Sequence, residues 1–229
     1  MRRAPPLLVV AAVLLLPALP PPSLVSAQGD CVTLEDFKKS RVGEFPVDWK
    51  ARKDSGRQVY KVAEEGGVRF LRAMSRGIGI QAGRETKNWD VAARPMLAWS
   101  WRPRQFPKGA DERTSKNDSP LAVYMVVQHS RVSGPKAVKY IWSERVPAGT
   151  HLTSNNGLTQ VRVLRSGPAS GSGWTEERVN VLEDYRKYFG DKGTPKPDGI
   201  AVLTDADDTR SSAAGDYANF RACAGSAKS

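Results

Sequence analysis

Gly199-Ile-Ala-Val-Leu-Thr-Asp-Ala-Asp-Asp-Thr209 is a short apolar run that ends in three carboxylates. Ile200, Val202 and Thr204 alternate with Ala201 and Leu203, so both faces are apolar, as an interior strand of a packed sheet requires. The run is bounded by Gly199 on one side and by Asp205, Asp207 and Asp208 on the other. It reads as a buried strand that delivers an acidic loop to one end of a sheet.

Upstream, the same period of two recurs. Pro95-Met-Leu-Ala-Trp-Ser-Trp-Arg102 places Leu97, Trp99 and Trp101 on one face and Ala98 and Ser100 on the other. Two tryptophans on one strand face serve either as core or as a platform for stacking sugars, and the large area each buries favours core. Leu121 to Gln128 is apolar on both faces and predicts a central strand. Val138 to Ser143 and Thr159 to Arg165 predict two more. Arg57 to Val62 and Val68 to Met74 flank the turn Glu64-Glu-Gly-Gly67 and predict a hairpin. Val32 to Phe37 predicts a first strand, Gly77 to Gly83 a short third one, and Tyr217 to Ala222 a last one that closes the sheet. Gly43 to Trp49, Lys108 to Asn117 and Gly149 to Gly157 read as loops, and the Gly/Ser-rich Gly167 to Trp174 as a mobile one.

A single helix is expected. Asn180 stands at an N-cap position with Glu183 three residues on, Val181, Leu182, Tyr185, Tyr188 and Phe189 form a stripe, and Gly190 can end it. Many short strands with turn signals and one short helix predict an all-β sandwich, of jelly-roll type if the first and last strands are neighbours.

The 229-residue chain opens with Arg2 and Arg3, an apolar run from Leu7 to Leu16, prolines, and Val25-Ser26-Ala27. That is the pattern of a secretory signal peptide, predicted to be cleaved after Ala27, and its apolar run is too short to span a bilayer. Residues 28–229 are then one domain, periplasmic or secreted in the manner of Gram-negative export. Cys31 and Cys223 are the two cysteines. In an oxidising compartment they are expected to form a disulfide, which requires the two ends of the mature chain to meet. The formal charge is +11, so anionic partners such as acidic envelope polysaccharides are favoured electrostatically. The basic residues are scattered without a dense run, and a nucleic-acid partner is not expected. A monomer is the simplest reading.

Taken in order, Pro95 to Trp101, Asn117-Asp118, Tyr140-Ile-Trp142, Ser166-Gly167, Trp174, Glu183-Asp-Tyr185 with Phe189-Gly190, and Gly199 to Thr209 with Tyr217 to Phe220 resemble the bacterial family catalogued as domain of unknown function 3047. The resemblance implies an exported, galactose-binding-like β-sandwich and carries no assigned activity. Two positions depart from the family's habit. Asn117 stands where one of two adjacent acids is common, and Asp216 is followed by Tyr-Ala-Asn219 where an acidic pair is common.

Three chemistries fit the residues. A carbohydrate module needs aromatic rings beside directional polar groups, and Asn88-Trp89-Asp90, Trp49 and Trp174 are the ligand-binding candidates. A glycan hydrolase or lyase needs two carboxylates at a suitable separation. Asp205, Asp207 and Asp208 are the candidates, and His129 and His151, without a Gly-x-Ser-x-Gly elbow, give little support to a serine triad. Ca²⁺ takes six to eight oxygens, so Asp205, Asp207 and Asp208, with Asp216 completing the shell, are candidate ligands. The same side chains can instead cap local turns without any ion.

Overall fold

The computed structural model describes residues 30–169 and 173–225. The expected leader, residues 1–27, lies outside the described residues, as do residues 170–172 of the stretch expected to be mobile.

In chain order the strands are β1 (Cys31–Glu35), β2 (Lys50–Ala51), β3 (Tyr60–Glu65), β4 (Val68–Arg76), β5 (Ala82–Glu85), β6 (Met96–Gln105) and β7 (Leu121–Ser130). They continue with β8 (Gly134–Ser143), β9 (His151–Ser154), β10 (Thr159–Ser166), β11 (Thr175–Asn180), helix α1 (Val181–Phe189), β12 (Pro197–Leu203) and β13 (Ser212–Cys223). Two sheets face each other as a jelly-roll sandwich. One has the order β11-β6-β13-β4-β3 with β1 also on β13, the other β2-β5-β12-β7-β8-β10-β9. Every pairing is antiparallel except β8 with β10.

The interior is built by the alternating strands. Leu97, Trp99 and Trp101 of β6 are fully buried and meet Leu121, Met125, Tyr140 and Val202 from the opposite sheet. Trp99 lies edge-on to Trp101 at 5.2 Å and 5.6 Å from Tyr140, so this tryptophan pair is core. The β3–β4 hairpin, the central place of β7 and the place of β12 between β5 and β7 follow the patterning. The Asn180 side chain accepts from the Glu183 N–H at 3.0 Å, and Gly190 takes the left-handed conformation, φ 65°, that ends α1.

Cys31 pairs with Cys223 in register and the two form a disulfide, Cα–Cα 4.0 Å. The first and last strands are therefore neighbours, as a closed sandwich of this kind requires.

Three expectations need correction, and one strand, β11, was not read from the sequence at all. Gly149 to Gly157 is not all loop, because His151–Ser154 forms the edge strand β9 on β10. That strand is mostly exposed and so has no apolar alternation to read. Thr175–Asn180 forms β11 beside β6, and its charges, typical of an edge strand, hide it in the sequence. The short strand begins at Ala82 rather than Gly77. The last strand begins at Ser212 and lies inside its sheet between β6 and β4, where Ala213, Ala214 and Gly215 carry no apolar signal.

Candidate functional site

A trough of about 830 Å³ opens where β2, β5 and β12 meet the segments around Thr33 and Asn88. Two of its lining residues, Gly83 and Gly199, are glycines for a local reason. A Cβ on Gly83 would come 3.0 Å from the Ala201 Cβ, and one on Gly199 would collide with the Arg84 carbonyl oxygen, so only glycine lets β5 and β12 close up here. Gly83, Gly199, Ala201 and Val126 line the flat part, and Lys50, Glu85, Asn88 and Asp198 supply donors and acceptors around it. Lys87 and Lys50 hold Glu85 from 3.1 and 3.3 Å. Their hydrogen bonds and charge keep its carboxyl below the usual range.

Three of the expected ligand-binding residues, Trp49, Asn88 and Trp89, line this trough. Asn88 is exposed. The two rings form its wall rather than a bare platform. Trp89 is 5% exposed and its indole N–H donates to the Arg94 carbonyl at 2.8 Å. Trp49 donates to Glu35 at 2.8 Å and packs against Phe37 and Phe220. Asp90 accepts from the Ala92 and Ala93 N–H groups and so caps the turn that follows.

Trp174 belongs elsewhere. It is half-buried against Phe70 at 5.5 Å, with the Arg102 guanidinium 4.4 Å from its ring centre. Arg102 in turn contacts Asp216, which lies on β13 directly across from Arg72 on one side and Arg102 on the other. Asp216 is fully buried and accepts from Arg102 at 2.7 Å, Arg104 at 2.9 Å and Arg72 at 3.1 Å. The aspartate expected to complete the shell of the acidic loop is thus the hub of an arginine network on the six-stranded sheet.

The remaining carboxylates gather at one end of the seven-stranded sheet, and register brings them there. Leu203 pairs with Ala122 and Val202 with Ala82, so the exit of β12, the entry of β7 and the entry of β5 are side by side. The Asp205 N–H donates to the Ser119 carbonyl at 3.0 Å. Asp118, Asp205 and Asp207 each bring a carboxylate oxygen within 4.8 Å of the others. Asp118 is fully buried and is fixed by the Thr209 N–H at 2.7 Å and the Thr209 hydroxyl at 2.6 Å. Asn117 donates to Asp208 at 2.8 Å and so ties down the neighbouring carboxylate. Asp208 itself is raised by burial and by the charges of Asp207 and Asp118.

Two tyrosines of the other sheet brace this end from below. Tyr217 donates to the Leu203 carbonyl at 2.8 Å and meets the Thr204 hydroxyl at 2.9 Å, while the Thr204 N–H donates to Tyr60 at 3.3 Å. Burial and the facing carboxylates of Asp207 and Asp118 push Asp205 up to about 8, against the pull of Lys139. Burial works against the Lys139 ammonium in turn, but Tyr124 and Asp205 hold its pKa above the ordinary lysine value.

Asp118, Gly79, Lys139 and Tyr124 were not singled out as site residues from the sequence. The Asn117-Asp118 pair before β7 was a usable signal, since a polar pair at the entry of a fully apolar strand must end up at a sheet end. The histidines are apart from all of this: His151 bonds Gln160 at 2.9 Å and stacks on Tyr188 at 4.1 Å.

Among solved structures, the chain is similar to the family 11 carbohydrate-binding module of the cellulase Lic26A-Cel5E of Clostridium thermocellum, with 9% identity over 86% of this chain and 96% of that one, TM-score 0.45. It is also similar to a carbohydrate-binding module specific for non-crystalline cellulose, CBM28, at 11% identity over 77% and 87%, TM-score 0.41. A third is endoglucanase 3 of family GH12 from Trichoderma harzianum, at 11% identity over 86% and 97%, TM-score 0.38. At these values no residue is carried from one chain to the other. No curated protein matches the sequence. A family profile does, over residues 47–221, and its span includes the trough glycines, the acidic end and most of both sheets. The chain belongs to the family described as protein of unknown function (DUF3047).

Proposed function

We propose that this is an exported, monomeric, non-catalytic carbohydrate-binding protein of the cell envelope, and that the trough holds the saccharide. The observation that carries the reading is the composition of the trough: a flat floor of glycine, alanine and valine beside Asn88, Lys50, Glu85 and Asp198. A pyranose ring has an apolar face and a rim of hydroxyls, and this surface offers a counterpart to each. The volume lies within the range of small-ligand pockets. The disulfide is consistent with an oxidising compartment.

Binding without turnover is supported by Glu85. A general acid needs a raised pKa to hold its proton at neutral pH, whereas the two lysines beside Glu85 lower it.

Titration of the purified protein with neutral and acidic oligosaccharides, followed by tryptophan fluorescence, tests this directly, since Trp49 and Trp89 both border the trough. Saturable quenching at high salt is expected. Asn88→Ala and Lys50→Ala, both at exposed positions, are expected to weaken binding about tenfold each, the effect of one lost hydrogen bond, with unchanged melting temperature. Parental affinity in both variants would remove the trough as the site.

A further inference from the structure

We propose that Asp118, Asp205 and Asp207, closed against Gly79, form a binding site for a hard divalent cation, Ca²⁺. The inference is independent of what the trough binds.

Proximity of acids alone would not carry it. What does is the state of one atom. Asp205 is 8% exposed, and its Oδ1 is sealed from water and accepts no hydrogen bond from any described residue. A sealed, unpartnered oxygen is unfavourable wherever it occurs in a folded protein. This one also points at a defined place. A Cβ built on Gly79 would collide with Asp205 Oδ1 and would sit 2.7 Å from Asp207 Oδ1. The two oxygens therefore converge on the same spot, over the one residue type that leaves room there. Asp207 Oδ1 already accepts from the Asp208 N–H at 3.1 Å, whereas Asp205 Oδ1 has no such donor, and a cation coordinated there supplies the positive charge it lacks.

The donors are also pre-positioned. Asp118 is held through both of its oxygens, Oδ2 by Thr209 and Oδ1 by the Asp208 N–H at 3.3 Å. Thr204, adjacent to Asp205, is clamped by Tyr60 and Tyr217. The acidic loop folds back on itself through the Arg210 and Ser211 N–H groups, which donate to the Asp207 and Ala206 carbonyls.

The donor set selects the ion. The three groups are all carboxylates, with no histidine or cysteine among them, which excludes a preference for zinc and points to Ca²⁺, Mg²⁺ or Mn²⁺. Mg²⁺ is usually held by one or two carboxylates and keeps several waters, whereas three carboxylates, two from the acidic loop and one from the segment before β7, suit the larger, more tolerant Ca²⁺. Lys139 and Asp208 are the charged neighbours, and they leave the site net negative. Asp207 and Asp208 are exposed, so the ion has a path in from solvent.

The test is calorimetric titration of the chelator-stripped protein with CaCl₂ and with MgCl₂, together with melting curves. One Ca²⁺ per chain is expected, bound more tightly than Mg²⁺. At a hundredfold excess over Kd the melting temperature should rise by about 5–10 °C. Asp207→Asn, at an exposed position that leaves the core intact, should lower Ca²⁺ affinity at least about tenfold, since affinity follows ligand charge. Gly79→Ala should do the same by filling the spot. No heat and no shift in melting temperature at about 10 mM Ca²⁺, the weak limit of natural calcium modules being near the millimolar range, would overturn the proposal. So would Asp207→Asn and Gly79→Ala proteins that both bind like the parent.

Discussion

Asp216 and Asp205 are both buried aspartates, one on the six-stranded sheet and the other at an end of the seven-stranded sheet, and they have opposite surroundings. Asp216 accepts from three arginines and has no free oxygen. Asp205 has other carboxylates for neighbours and one oxygen without a partner. A buried charge with a full set of countercharges is a closed structural unit. Arg102 completes that unit, bridging Asp216 to Glu65 beneath the rings of Phe70 and Trp174. A buried acceptor set against further acceptors is an open one, kept in place by a rigid frame that it does not itself stabilise. Net burial is similar at the two places; what differs is that three arginines bond Asp216 directly, whereas Lys139 acts on Asp205 only through its charge.

The sharpest way to break this comparison is Asp216→Ala. It leaves the buried Arg102 and the partly exposed Arg72 and Arg104 without their shared anion, and removal of one partner from such a buried pair destabilises by about 3–5 kcal/mol. Denaturant unfolding should show that loss, and a change below about 1 kcal/mol, the size of a surface ion pair, would mean that the arginine network is decoration.

Asp205→Asn should act in the opposite direction in calcium-free buffer. The folded protein holds a proton on Asp205 up to about pH 8, while the unfolded chain releases it near the ordinary value of 3.8. The stabilisation from that proton is present at low pH and declines as the pH rises through this window, so the parent protein should lose stability between about pH 4 and pH 8. The asparagine variant should lack that decline and exceed the parent by about 2 kcal/mol or more at pH 9. Parallel melting curves of the two proteins across pH 5 to 9 would contradict the assignment.

Asp111 provides the partly exposed reference. Arg113 bonds it at 2.6 Å and, with the Arg113 N–H, lowers its carboxyl to about 2. Its contribution is present above pH 3.8 and lost as the pH falls through 2, and solvent screens it. Asp111→Asn should leave the melting temperature at pH 7 unchanged within error. A drop approaching that of Asp216→Ala would show that burial is not what separates the sites.

Much of the sandwich was legible because buried strands declare themselves by alternation. Leu97-x-Trp99-x-Trp101 and the doubly apolar Leu121 to Gln128 were read correctly for that reason. So was α1, whose cap, stripe and terminating glycine are all local. The strands that escaped, β2, β9 and β11, are edges, and an edge strand half in solvent carries polar residues that resemble a loop. The site was legible in part. Trp49, Asn88 and Trp89 are far apart in sequence or hidden in a loop, yet they border one trough. Trp174 and Asp216 went to the arginine network, because nothing in the local sequence tells an aspartate which charges will stand across the strand from it.

The chain's own residues determined the alternation, the helix with its caps, the meeting of Cys31 with Cys223, and an acidic loop at the end of a buried strand, since each depends on neighbours within a few residues or on having two cysteines. Only the tertiary structure decided which carboxylates share a space. Pairing of β12 with β7 and β5 brings Asp118 and Gly79 beside Asp205 and Asp207, and pairing of β13 with β4 and β6 brings three arginines to Asp216. Electrostatic character is set by what lies within a few ångströms, and the neighbours that decide it, Asp118 beside Asp205 and the three arginines beside Asp216, lie more than eighty residues away in the chain.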